Sequence, residues 1–188
     1  MRITLVGCGA LGSFFLDFAQ HTPGVDFIHV IDGDRVEAKN LEAQAFTKPA
    51  LRQNKALAIA RQIGPKIKPY SVFLKPENSS TLLMGSNLVI DCTDNGTARK
   101  LIAHTCYCHR IDLVHAGIDA AGTFGKIFWQ GSNVIPDNGG EGKVTCEDAE
   151  NRAHHALVAA VLAKVVLFWA RDRRKRNVKI SGATVEYI

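Results

Sequence analysis

Short apolar runs alternate with amphipathic stretches along most of this chain, and the alternation predicts strands and helices in turn. Ile3, Leu5 and Val6 form a first buried strand and residues 27–31 a second. A polar connection, 33–49, leads to a helical pattern over 51–63, with apolar residues at Leu51, Ala56, Ile59, Ala60 and Ile63, which Gly64-Pro65 stops. Residues 67–74 read as a third strand, and Asn78 or Ser79 is placed to cap a short helix through Leu83 and Met84. The continuous apolar run 87–91 suits a parallel strand covered on both faces. A helix over about 96–109 and a strand over 111–116 follow, and residues 123–130 alternate as an antiparallel edge strand does. The Gly-, Asn- and Asp-rich stretch 132–143 reads as a mobile surface loop. A long apolar helix, about 148–171, is expected to pack on the sheet or on a second subunit, with one last short strand over 178–185.

Strand and helix alternate through the first two thirds, so the expected fold is α/β: a doubly wound, Rossmann-like, mostly parallel sheet with an antiparallel edge. With 188 residues, 46% of them hydrophobic, and six prolines, the chain can bury one good core. No linker divides it, so residues 1–188 read as a single domain with a basic segment, 171–188, at its end. The most apolar stretch, 157–170, is shorter than a membrane span and carries Lys164. With the first strand beginning at residue 2, no export signal is expected, and the expectation is a soluble, cytoplasmic protein without a membrane partner.

Charge and cysteines narrow the function classes. The net charge is +5, and six basic residues between Arg171 and Lys179, against Asp172 alone, account for all of it. A nucleic-acid surface spread over the fold is thereby disfavoured. The cluster reads as the end of a long helix, where cations suit the negative end of the dipole. An odd count of five cysteines reads as thiols rather than a disulfide framework. His104, Cys106, Cys108 and His109 resemble a metal cluster, yet on a helix Cys106 and Cys108 diverge by about 200° and cannot both face one ion.

The chemistry starts at residues 7–13, GCGALGS, where Gly7, Gly9 and Gly12 fit G-x-G-x-x-G between a strand and a helix. The first glycine allows a tight turn, the second bare backbone beside phosphate, and the third close helix packing. With Ala10, they present the N–H groups of a helix start to an anion. Asp32 ends the second strand, where a carboxylate accepts hydrogen bonds from ribose hydroxyls. Beyond it, Asp34, Asn40 and Gln44 add a second carboxylate and two amides, and Lys55 at a helix start can place a point charge on phosphates. The string Asp91-Cys92-Thr93-Asp94-Asn95 ends the fourth strand, at the edge where ligands of open α/β sheets bind. These features favour ATP over a nicotinamide. The bland alternative is that Asp91 or Asp94 merely caps the next helix. Cys146 follows a glycine-rich stretch and precedes a helix, a setting for a reactive thiol, although Glu147, Asp148 and Glu150 oppose a thiolate.

At D-C-T-D-N, with Arg99 after it, the chain resembles the ThiF/MoeB family, the adenylating domains related to ubiquitin-activating enzymes. The likeness covers about residues 2–130, and 116–129, AGIDAAGTFGKIFW, resembles the strand pair that follows the motif. The resemblance implies an adenylyltransferase: the C-terminal carboxylate of a small ubiquitin-like or sulfur-carrier protein ending in Gly-Gly attacks the α-phosphate of Mg-ATP, giving an acyl-adenylate and pyrophosphate. It implies that Asp32 binds ribose, that Asn40 and Lys55 hold phosphates, that Asp94 and Asn95 lie at the nucleotide with Asp94 organising Mg²⁺, and that the protein is a homodimer. In some relatives a cysteine in the region of Cys146 takes the activated carrier. Three departures stand out. Ala43 replaces the arginine of N-L-x-R-Q, the family's N-terminal helix has no counterpart before the first strand, and there is no C-x-x-C. Arg35, Lys39 and Arg52 are nearby cations, but none is at the matching position. Two other readings remain: a catalytically inactive module that binds nucleotide or a carrier, and an NAD(P)-dependent oxidoreductase.

Overall fold

The computed structural model describes residues 1–119, 121–131 and 149–188. One eight-stranded sheet organises them: β1 (Arg2–Val6), β2 (Phe27–Ile31), β3 (Ile67–Tyr70), β4 (Leu88–Asp91), β5 (Asp112–Ile118), β6 (Phe124–Trp129), β7 (Val178–Ser181) and β8 (Thr184–Tyr187). Their order across the sheet is β3-β2-β1-β4-β5-β6-β7-β8. The first five are parallel and the last three antiparallel. The expected doubly wound sheet with an antiparallel flank is therefore present, but β6 is not its edge. Residues 178–185, read as one strand, form most of a hairpin that turns at Gly182 (φ 55°) and covers β6.

Alternating side chains along each strand feed two cores, one on each face of the sheet. Ile3, Leu5, Ile28, Val30, Leu88 and Ile90 pack toward α1 (Ala10–Ala19), α3 (Lys55–Ile63) and α6 (Arg152–Asp172). Val6, Ile31, Val89 and Leu113 face the other way, toward α4 (Pro76–Leu83) and α5 (Gly96–Cys108). The helical stretch Ala149–Asp172 is long and apolar enough to cross a membrane by length and composition alone, a longer stretch than the apolar part 157–170. Here Val158, Leu162, Val165, Val166 and Trp169 are buried in the first core.

Several boundaries move for local reasons. The polar connection contains α2 (Ala38–Ala43), a six-residue helix whose third residue, Asn40, accepts the Glu37 N–H at 2.9 Å. The next helix begins at Lys55, not Leu51, because Asn54 caps it by accepting the Leu57 N–H, while Leu51 is exposed. α4 begins at Pro76, ahead of the expected caps, with Asn78 accepting the Lys75 N–H at 2.8 Å. β3 ends at Tyr70 and leaves Phe73 exposed. On α5, Cys106 is buried and Cys108 exposed, so the two thiols face apart.

The basic cluster ends α6, but most of it lies beyond the last turn. Arg173 takes a left-handed conformation (φ 58°) and covers the Trp169 ring, Lys175 pairs with Asp112, and Arg176 lies over Phe168 and Tyr187.

Candidate functional site

The strand registers bring the sequence motifs together. Tyr70, Ile31, Val6, Asp91 and His115 lie in one row across β3, β2, β1, β4 and β5. Three loops consequently leave the carboxyl edge side by side: Gly7 to Gly12, Asp32 to Asp34, and Cys92 to Asn95. The crevice between β1 and β4 is where the chain direction around the sheet reverses, the place at which open α/β sheets take ligands.

Gly7 has φ 90°, and a methyl group there would sit 2.9 Å from the Cys92 carbonyl, so the first loop is pressed against the third. A methyl on Gly12 would overlap the Gly7 carbonyl oxygen. Gly9, in contrast, has open space around its missing side chain and stands at the start of α1 with no side-chain cap. Bare N–H groups there can meet an anion. Ala10 is buried behind them. Cys8 has its thiol pushed well above the usual range by burial and then by Asp32, which keeps it protonated.

Asp32 ties the second loop to the first. Its Oδ2 accepts the Cys8 N–H at 2.6 Å and its Oδ1 the Asp34 N–H at 2.8 Å. Burial raises its pKa, opposed by the Cys8 hydrogen bond and the Lys55 charge. Lys55 is the first residue of α3, and its Nζ lies 3.5 Å from the exposed carboxylate of Asp34. Asn54 braces this corner: its Nδ2 donates to the Asp32 and Asp34 carbonyls at 2.8 and 3.0 Å, and its Oδ1 accepts from Leu57 and Ser71. Beside it a cleft of about 330 Å³ is lined by Gly33, Arg35, Gln53, Leu57, Arg61 and Ser71 as well.

The third loop divides its two aspartates by role. Asp91 is fully buried, with Oδ1 accepting the Thr93 N–H and hydroxyl at 2.9 and 2.7 Å and Oδ2 meeting His115 Nδ1 at 2.7 Å. Asp94 is exposed, and no hydrogen bond or ion pair with the described residues engages its carboxylate. Neither caps α5; Asn95 does, through Oδ1, which accepts the Thr97 and Ala98 N–H groups at 2.8 and 3.1 Å. Asn95 thus has a structural task, and the capping alternative for Asp91 and Asp94 is set aside.

Asn40 lies on α2 and Gln44 follows it, in the segment between the second loop and α3. Both are buried; Asn40 Oδ1 accepts the Glu37 N–H, and among the described residues Gln44 Oε1 has no hydrogen-bond partner. Ala43, at the departing position, is fully enclosed. The segment is tied to α1 by the Ala45 N–H to Ser13 Oγ bond (3.0 Å), and to α6 by Arg152. The Arg152 guanidinium donates to the carbonyls of Glu42 and Gln44 at 3.0 and 2.5 Å and lies over the Phe14 ring. Sequence reading missed Arg152, since nothing in its spacing links it to residues 41–44. Cys146 lies outside the described residues. Among the described residues no group of three or more His, Cys, Asp and Glu is placed to hold a metal ion.

The "Adenylyltransferase and sulfurtransferase uba4" of Pyricularia oryzae is 35% identical over 120 residues, covering 61% of this chain and 24% of that protein. The "SAMP-activating enzyme E1" of Haloferax volcanii is 28% identical over 142 residues, covering 72% of this chain and 50% of that protein. The chain therefore spans half or less of the length of these curated relatives. Among solved structures, Escherichia coli MccB with ATP superposes with a TM-score of 0.77 at 14% identity, over all of this chain and 63% of that one. PaaA superposes with a TM-score of 0.71 at 15% identity, over all of this chain and 63% of that one. The ThiF family model matches residues 1–167, and the chain belongs to the ThiF family.

Proposed function

We propose that this protein is an ATP-dependent adenylyltransferase that activates the C-terminal carboxylate of a small ubiquitin-like or sulfur-carrier protein ending in Gly-Gly. The observation that carries the reading is the row of three loops at the carboxyl edge, in a chain of the ThiF family. Adenylyltransferase relatives and an MccB structure holding ATP support the nucleotide. The reading places the protein in the cytoplasm as a homodimer, with no membrane or nucleic-acid partner.

The reaction joins a carboxylate oxygen of the carrier to the α-phosphorus and breaks the bond from that phosphorus to the bridging oxygen, releasing pyrophosphate. No protein nucleophile is required. Two negatively charged reactants must be aligned and their charge offset. The bare N–H groups after Gly9 face the phosphates, Asp32 accepts ribose hydroxyls with lone pairs that Cys8 and Asp34 leave over, and Lys55 brings its charge to the phosphates from beside Asp34. Asp94 is an exposed carboxylate with no partner among the described residues, which fits the one or two carboxylates that magnesium takes alongside phosphate oxygens and water. When bound, Mg²⁺ would neutralise charge on the phosphates and the departing pyrophosphate.

A second reading, a nucleotide- or carrier-binding module without turnover, is favoured by Ala43. Carrier-dependent ATP–pyrophosphate exchange decides between them, paired with thermal unfolding in ATP and in NAD. The adenylyltransferase shows exchange and a stabilisation by Mg-ATP that NAD does not give, about 2.7 kcal/mol at a hundredfold excess over Kd. Stabilisation by ATP without exchange for any Gly-Gly-ended carrier selects the module. Stabilisation by NAD alone overturns both.

A further inference from the structure

Below the third loop lies a buried polar network for which the nucleotide reading gives no task. His115, in the middle of β5, is 3% exposed and points to the α5 side of the sheet, as does its register partner Asp91. Its Nδ1 is 2.7 Å from Asp91 Oδ2. The contact pairs a ring nitrogen with a carboxylate oxygen, and the hydrogen bond is assigned with Nδ1 as donor. The ring stacks on Phe128 with centroids 4.9 Å apart, which fixes its plane.

The other end of the network is Thr93, held from two sides. Asp91 Oδ1 accepts its N–H and its hydroxyl, while Arg99 of α5 donates to its carbonyl from Nε and Nη2 at 3.0 and 2.7 Å. The same guanidinium reaches the Ala116 carbonyl at 3.3 Å, next to His115. Asp94 is the next residue, and Cys92 on the other side is the one pressed on Gly7. A polar network in a low-dielectric interior specifies one arrangement when all its members are satisfied.

We propose that His115 is a positioning residue of the nucleotide site: by donating to Asp91 it fixes Thr93, and through Thr93 it sets where Asp94 stands. This rests on the role assigned to Asp94 above. Groups that orient a ligating carboxylate without touching the metal are worth about tenfold or more in affinity or activity.

The test compares donors at one position. His115→Asn keeps an amide nitrogen the same number of bonds from the backbone as Nδ1. His115→Phe keeps a ring on Phe128 and removes the donor, and His115→Leu does so with less bulk. Amide hydrogen exchange of residues 92–95 reads the loop directly, and ATP binding across a Mg²⁺ titration reads its consequence. We expect either folded donorless variant to lose protection at 92–95 and to bind ATP about tenfold more weakly in Mg²⁺, while His115→Asn stays within about threefold of wild type. Unchanged protection in a donorless variant overturns the proposal, and so does a folded His115→Asn that loses protection as fully as the others. If wild type binds no ATP, the nucleotide reading fails, and hydrogen exchange still decides whether His115 positions the loop.

Discussion

The Asp32 carboxylate accepts the backbone N–H of Cys8 at 2.6 Å, so the acidic residue ending β2 is bonded to the glycine loop ending β1 before any ligand arrives. The residue therefore has a structural task, tying the glycine loop to the second loop, beside the ribose contact proposed for it. Both require a charge kept in a place that burial makes costly.

That cost has a sign with pH. Burial raises the Asp32 pKa above its ordinary value of 3.8, against the pull of the Cys8 hydrogen bond and Lys55. A carboxyl with a raised folded pKa contributes stability that is present below the unfolded value and lost as pH rises through the folded one. Asp32→Asn has one acceptor oxygen and one donor, as the protonated carboxyl does, so at acid pH the two proteins should unfold at similar temperatures. From about pH 4 upward, as wild type loses the protonated form, the variant should gain in Tm relative to wild type. Thermal unfolding at stepped pH checks this; a variant that falls further below wild type as pH rises contradicts the assigned burial cost.

Asp94→Ala and Lys55→Ala separate catalysis from folding. Asp94 is exposed and without a partner among the described residues, so its removal should abolish pyrophosphate exchange and leave Tm within about 1 °C, a surface-substitution effect. Lys55→Ala removes the phosphate contact proposed for it and the Asp34 ion pair, and should weaken ATP binding about tenfold, or ~1.4 kcal/mol. Near wild-type exchange by Asp94→Ala would refute the metal role.

Ala43→Arg tests the departure from the family pattern. Ala43 is fully enclosed, so the longer side chain must displace its surroundings at about 1–3 kcal/mol of stability. If the missing guanidinium limits turnover, exchange should rise about tenfold, ~1.4 kcal/mol of transition-state stabilisation, despite the lower Tm. A wild type that already turns over briskly, with Ala43→Arg no faster, means that another cation has taken the role.

Gly12→Ala should be severe for a different reason. The added methyl would overlap the Gly7 carbonyl oxygen, a backbone atom that cannot rotate away, so α1 must move off the strand end. We expect loss of the ATP-induced thermal shift together with a markedly lower Tm. Gly9→Ala, with open space at that position, should keep the fold. Equal stability of the two variants would contradict the packing.

Much of the fold was readable because burial dictates residue type along whole segments. The apolar run 87–91 is read as a strand covered on both faces, and Leu88–Asp91 is one; the glycine loop and Asp32 are read as strand ends, and they end β1 and β2 at one edge. What was misread depended on single side chains meeting distant backbone. Leu51 looked helical by period, but Asn54 starts the helix four residues later by capping it. The edge assigned to β6 failed because the closing hairpin lies some 50 residues further along the chain. Asp32, Asp34, Lys55 and the third loop, all named from the pattern, come to one edge of the sheet, yet the pattern gave Asp91 no task beyond a possible cap. Strand alternation held the distinction from Asp94: it turns Asp91 inward to His115 and leaves the residues beyond the strand end free. Arg152 and His115 left no signal in local spacing, since each acts on residues more than 20 positions away.

Asn54 limits how this site can evolve. Its amide nitrogen holds two carbonyls of the Asp32–Asp34 turn while its oxygen caps α3 and meets Ser71, so both ends of one small group are in use with opposite polarity. Aspartate would keep the cap and place negative charge against two carbonyl oxygens. Serine would keep the cap and reach neither carbonyl, and glutamine would shift every bond by a methylene. Drift at position 54 is therefore closed to its chemical neighbours, because each would give up one end of the bracing.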